Sequence, residues 1–153
     1  MTLAYLGLGS NVGDRERHLA EARRLLAAHG ARPLRDSVVR ETEPYAVTGQ
    51  PRFLNQVVEV EWPGGARELL AAAKAVEAAV GRTPSYRWGP REIDVDILLF
   101  GEETVDEPDL VIPHPGLFER EFVFRALGEL RPDLVPRDLI RRRVGARPPF
   151  ETE

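Results

Sequence analysis

Three stretches of alternating apolar residues, separated by stretches with helical apolar spacing, leave this chain few ways to fold. Residues 2–8, TLAYLGL, alternate as a strand does, and GSNVGD then turns into a helix from about Asp14. Leu19, Ala22, Leu25, Leu26 and Ala28 keep helical spacing until Gly30 ends it. PLRDSVVRET (33–42) reads as a second strand, EPYAVTGQP (43–51) as a Pro- and Gly-rich loop, and RFLNQVVEVEW (52–62) as a third strand ended by PGG. The second and third strands should form a hairpin with a long loop. From Ala66 to Val80 the stripe Leu69, Ala73, Val76 and Val80 marks a second helix closed by Gly81. RTPSYRWGPRE (82–92) then leads into the strand of RWGPREIDVDILLFG, residues 87–101. The order β-α-β-β-α-β predicts an α+β, ferredoxin-like βαββαβ sandwich, an antiparallel sheet with helices packed on it. EETVDEPDLVIPHPG (102–116) reads as a short edge strand and a loop, and LFEREFVFRALGEL (117–130) as a third helix, a C-terminal helical extension.

A chain of 153 residues suits one domain, here 1–153, with 143–153 expected as a flexible tail. Acids outnumber Lys plus Arg by 25 to 21, so the net charge of -4 gives no bulk attraction for nucleic acid or anionic membrane. With no cysteine, disulfides and thiolate chemistry are excluded. The opening MTLAYLGLGSNVGD lacks a basic n-region and a long apolar run, and the chain reads as cytoplasmic and monomeric.

The fourth strand carries an oddity: Asp94 and Asp96 point the same way, while Ile93, Val95, Ile97 and Leu99 take the other face. Leu98 and Phe100 continue the acidic face as apolar residues, so the acids sit at the rim of something partly buried. Asp is a poor strand former and like charges on one face repel. An exposed face that tolerates acids is one reading. The other is metal: paired carboxylates suit Mg²⁺, which binds through one or two carboxylates plus substrate phosphates. Arg82, Arg87 and Arg91 lie close by in sequence, and guanidinium forks match phosphate oxygens. GLGSNVGD lacks the lysine of a P-loop and reads as a strand-to-helix turn.

GLGSN at 7–11, FLNQVV after the T-x-P-Y of Thr42 to Tyr45, VEAAVGR at 76–82, RWGPREIDVDILLFG and IPHPGLFEREFVFRAL together resemble the 6-hydroxymethyl-7,8-dihydropterin pyrophosphokinase family of folate biosynthesis. The likeness runs from the first strand to about Leu130, and the block from Arg87 to Gly101 followed by P-H-P and R-x-F is its most specific part. It implies transfer of a pyrophosphoryl group from ATP, as co-substrate, to the hydroxymethyl oxygen of the pterin, with AMP as the other product. It also implies the ferredoxin-like fold.

Carried over residue by residue, Asp94 and Asp96 correspond to ligands of two Mg²⁺ ions, with Asp94 also beside the pterin. Arg82 and Arg91 correspond to phosphate-contacting arginines, and His114 and Arg120 to further groups on the triphosphate. Each has a plainer reading: His114 between two prolines could cap the turn before the last helix, and Arg120 could pair with a neighbouring acid. Phe53 and Asn55 share a strand face with Val57. Phe53 reads as core, but an unpaired amide on an apolar face is costly, and Asn55 offers donors and an acceptor for the edge of a ring. In the family this asparagine recognises the pterin, stacked between rings that correspond to Phe53 and Phe122, and the backbone near Thr42, Pro44 and Tyr45 completes its hydrogen bonds. Lys74 and Glu77, three apart on a helix, read as a surface ion pair, and the resemblance puts both near ATP, as it does Ile97. Trp88, in a polar loop, fits a lid over both substrates. In one departure, Thr83-Pro84 stands where relatives carry another basic residue, with Arg87 as a nearby replacement. Two other classes stay open: a D-x-D glycosyltransferase and a non-catalytic ferredoxin-like regulatory module.

Overall fold

The computed structural model describes residues 1–43, 51–81, 92–117 and 119–134. Its main sheet is built from β1 (Thr2–Ser10), β2 (Arg32–Asp36), β3 (Arg40–Thr42), β4 (Phe53–Trp62) and β5 (Asp94–Phe100). The order across it is β2-β4-β1-β5, with β3 also pairing with β4. All neighbours are antiparallel. Helices α1 (Arg15–Ala28) and α2 (Ala66–Val80) are the crossovers, so the predicted βαββαβ order holds.

Binary patterning decides which face each strand buries. Ala4, Leu6 and Leu8 of β1, Val58, Val60 and Trp62 of β4 and Val95 and Ile97 of β5 meet Leu19, Ala22 and Leu26 of α1 and Leu69, Ala73 and Val76 of α2. Several of these are fully buried, and truncating such a leucine to alanine typically costs about 2–5 kcal/mol. Asp14 starts α1 by accepting the Arg17 N–H at 3.2 Å. Gly81 ends α2 at φ 108°, a left-handed conformation that a residue with a Cβ resists.

The opposite face is covered by α3 (Glu121–Leu130). Phe122, Val123, Ala126, Leu127 and Leu130 pack with Tyr5, Val57 and Leu98. Two networks fasten the C-terminal end of this helix. Glu129 accepts from the Val38 N–H at 2.9 Å and from Arg40 at 3.0 Å. Buried Tyr5 donates its hydroxyl to Glu59, which also accepts from Arg35, while Arg131 donates to the Tyr5 oxygen at 3.0 Å.

Four local expectations are corrected. The stretch 33–42 is two strands, because the residues from Asp36 to Arg40 run opposite Val58 to Asn55, one residue fewer. Ser37 absorbs the excess: its N–H donates to Val57 O at 2.8 Å and its hydroxyl accepts the Val57 N–H at 3.0 Å. A bulge opposite Tyr5 and Leu6 leaves Leu98 unpaired, so Leu99 packs towards α3 and Phe100 joins the core beneath α1 and α2. Residues 105–112 form a hairpin, β6 (Val105–Glu107) with β7 (Leu110–Ile112), instead of one edge strand. Finally, α3 starts at Glu121, four residues later than Leu117, because the preceding residues form turns closed by Leu117 N–H to His114 O and Arg120 N–H to Gly116 O.

Candidate active site

The two aspartates open onto a strip of sheet without side chains. Asp94 is paired with Gly9, and Gly9 on its other side with Asn55; Asp96 is paired with Gly7, and Gly7 with Val57. Neighbouring strands lie about 4.8 Å apart, so Asp94 and Asn55 flank the bare backbone of Gly9 across two such steps. Both aspartates are half-buried, on the face that α3 covers further along. Among the described residues no three acids or histidines cluster as a metal cage. A donor set of two carboxylates fits Mg²⁺, whose remaining positions go to water and phosphate oxygens, better than it fits an ion needing an all-protein shell.

Asn55 is 3% exposed, and its Nδ2 donates to the Thr42 hydroxyl at 2.5 Å. This bond turns the carboxamide oxygen towards β1, where it lies 3.1 Å from the point a Cβ on Gly9 would take. Phe53, half-buried at the start of β4, stands beside it, with Cδ1 3.5 Å from the same point. The strand-to-helix turn steadies this end of β4. Buried Asn11 donates to Pro51 O at 3.2 Å, and Arg15 donates to Arg52 O at 2.7 Å and pairs with Glu41.

His114 and Arg120 converge on Gly116, where an added Cβ would lie 3.4 Å from His114 Nδ1 and 3.2 Å from Arg120 Cδ. The His114 N–H donates to Leu98 O, two residues past Asp96, at 3.0 Å. Its Nδ1 accepts the Gly116 N–H at 3.0 Å. The neutral ring therefore carries its proton on Nε2, which is left as a donor. The Arg120 guanidinium lies 4.5 Å from the centroid of the Phe122 ring, a cation–π contact.

On the opposite face, Glu77 is buried against β5. Its Oε2 accepts the N–H of Val95, the residue between the two aspartates, at 2.9 Å, and Lys74 reaches its other oxygen at 3.6 Å. Among the described strands β5 lies at the edge of the sheet with β1 as its one strand neighbour, and this N–H goes to Glu77 instead of to a strand. Ile97 also lies on this side, in the core beneath α1 and α2.

Of the residues singled out from sequence, Thr42, Phe53, Asn55, Asp94, Asp96 and Phe122 thus belong to one face of the sheet, with Arg120 against the Phe122 ring. His114 is tied to the edge strand. Lys74, Glu77 and Ile97 lie on the reverse of β5. Pro44, Tyr45, Arg82, Arg87, Trp88, Arg91 and the tail 143–153 lie outside the described residues. Sequence reasoning passed over Gly7 and Gly9, although two glycines two apart in a strand vacate one face, a signal present in YLGLGS. No helix among the described residues is long and apolar enough to cross a membrane.

Residues 5–132 match the family model described as 7,8-dihydro-6-hydroxymethylpterin-pyrophosphokinase. The 2-amino-4-hydroxy-6-hydroxymethyldihydropteridine pyrophosphokinase of Bacillus subtilis (strain 168) is 43% identical over 129 residues, covering 84% of this chain and 77% of that protein. The protein of the same name from Methylorubrum extorquens is 43% identical over 136 residues, 88% of this chain and 86% of that one. Among solved structures, an HPPK-DHPS in complex with substrates superposes with a TM-score of 0.67 over 84% of this chain. The chain spans 40% of that longer protein, and at 13% identity the likeness concerns the fold.

Proposed function

Because the chain belongs to the 7,8-dihydro-6-hydroxymethylpterin-pyrophosphokinase family, we infer that it carries a pyrophosphoryl group from ATP to the hydroxymethyl oxygen of 6-hydroxymethyl-7,8-dihydropterin, a step of folate biosynthesis. The bond from the β-phosphorus to the α–β bridging oxygen breaks, a new bond joins that phosphorus to the pterin oxygen, the hydroxyl proton is released, and AMP leaves. The protein needs no nucleophile of its own; its task is to place the hydroxyl in line with the β-phosphorus and to neutralise charge.

One observation carries the assignment of residues: the row Asp94, Gly9, Asn55, in which a carboxylate and a buried carboxamide flank a strand with no side chain between them. Asn55, held by Thr42, reads the hydrogen-bonding edge of the pterin, and Phe53 and Phe122 take its two faces. Asp94 and Asp96 hold two Mg²⁺ ions, which when bound offset triphosphate charge and acidify the pterin hydroxyl. The Nε2–H of His114 and the guanidinium of Arg120 donate to phosphate oxygens. Lys74, Glu77 and Ile97, behind the edge strand, serve the ATP side, as do Arg82 and Arg91, while Trp88, Pro44 and Tyr45 complete the substrate contacts. Residues 1–153 act as one catalytic unit, monomeric and cytoplasmic, with neither nucleic acid nor membrane as partner.

Incubation of the protein with ATP, Mg²⁺ and the reduced pterin should yield AMP and the pterin diphosphate in equal amounts, and omission of Mg²⁺ should abolish both. Sugar transfer from a nucleotide sugar without AMP formation would favour a glycosyltransferase. Ligand binding without turnover would favour a regulatory module.

A further inference from the structure

We propose that Gly9 is a specificity-determining residue: by lacking a Cβ it seats the Asn55 carboxamide in the orientation that recognises the pterin edge, an inference that rests on the reading just given for Asn55. The carboxamide oxygen lies 3.1 Å from the position a Gly9 Cβ would occupy, closer than side-chain carbons ordinarily come to a neighbour. Asn55 cannot retreat: behind it, Nδ2 is held at 2.5 Å to the hydroxyl of Thr42, itself 2% exposed, and the residue is 3% exposed. In an interior packed this densely, one methyl on Gly9 makes the carboxamide give by a few tenths of an ångström, which tilts it and stretches its bond to Thr42. The Phe53 ring, 3.5 Å from the same point, is at ordinary contact distance and need not move. The effect is therefore aimed at the hydrogen-bonding amide and spares the stacking ring.

The backbone at Gly9 does not explain its identity. Its φ is not among the left-handed values found at Gly13, Gly30, Gly81 and Gly101, so alanine can adopt the strand conformation without strain. Gly7, the next glycine on this face, differs in its neighbour: a Cβ there would meet the flexible Leu98 side chain at 3.5 Å. The tight contact with a fixed polar group belongs to Gly9.

The test is a double-mutant cycle in the full chain with Gly9→Ala, Asn55→Ala and the pair. Kd for 6-hydroxymethyl-7,8-dihydropterin is measured by calorimetry with a non-hydrolysable ATP analogue and Mg²⁺ present, and Kd for the ATP analogue separately. Gly9→Ala should weaken pterin binding at least tenfold and change nucleotide binding less than twofold. In the Asn55→Ala background, where the colliding oxygen is gone, the same change should cost less than twofold. Pterin affinity unaltered by Gly9→Ala, or an equal loss in both backgrounds, overturns the proposal, as does a parallel loss of nucleotide binding. If the wild-type chain does not bind the pterin, the functional reading fails instead. The Asn55 side-chain amide resonances, which need no ligand, then decide: they should shift in Gly9→Ala, and their staying in place overturns the seating role.

Discussion

Glu77 on α2 accepts the backbone N–H of Val95 at 2.9 Å, and Val95 is the residue that separates Asp94 from Asp96. A buried carboxylate on the core side of an edge strand thus does what a neighbouring strand would otherwise do, fixing the pleat that turns both aspartates to the opposite face. Charged hydrogen bonds of this kind contribute about 1.5–3 kcal/mol. Glu77→Ala should speed amide exchange at Val95 and raise the Mg²⁺ concentration needed for half-maximal turnover at saturating ATP. Glu77→Gln, which keeps an acceptor oxygen, should recover most of both. If alanine raises KM for ATP while Val95 exchange stays slow, Glu77 acts on the nucleotide alone and holding the strand is no part of its role.

Asp94→Ala and Asp96→Ala should each remove nearly all pyrophosphoryl transfer while leaving the fold intact. Each change deletes a proposed metal ligand and also relieves repulsion between like charges on one strand face. Melting without Mg²⁺ is therefore expected to be unchanged or slightly higher, as calorimetric scans of the metal-free proteins would record. A variant melting far below the wild type would mean that the acids are structural, and full turnover would end the metal assignment.

His114 separates capping from catalysis. Its Nδ1 serves the turn by accepting the Gly116 N–H, and only Nε2 is left for phosphate. Asparagine reproduces the first function and lacks the second, so His114→Asn should keep the wild-type melting temperature yet raise KM for ATP about tenfold, a loss of about 1.4 kcal/mol. A drop in melting temperature with unchanged KM would leave the turn as its whole role.

The fold was legible because its signals are local and mutually consistent: period-2 runs for β1, β4 and β5, helical stripes for α1 and α2, and glycine at the end of α2. Features that arise only when strands pair were not. The Leu98 bulge depends on how β5 matches β1, and it moved Phe100 to the face opposite the one that strict alternation assigns. The break at Ser37 likewise comes from its bonds to Val57 across the sheet. In the site, the Asp94 and Asp96 pair could be read from spacing alone, whereas the bare lane of Gly7 and Gly9 needed the register. The link from Tyr5 to Arg131 joins residues 126 apart, and no local pattern announces it.

That link makes stability depend on alkaline pH in a predictable way. Tyr5 is buried, and desolvation together with its hydrogen bond to the Glu59 carboxylate pushes the phenol from 10.0 to about 12, against the lowering effect of Arg131. A folded-state value above the unfolded one means the contribution is complete below pH 10 and is lost as pH rises towards 12, because the unfolded chain releases its proton first. Denaturant unfolding between pH 8 and pH 11.5 should therefore show falling stability in the wild type. Tyr5→Phe, which has no phenol to ionise, should show a shallower fall. It should also be less stable than wild type at pH 8, since Glu59 and Arg131 each lose a partner. Parallel curves for the two proteins would place the alkaline sensitivity elsewhere and remove Tyr5 as its source.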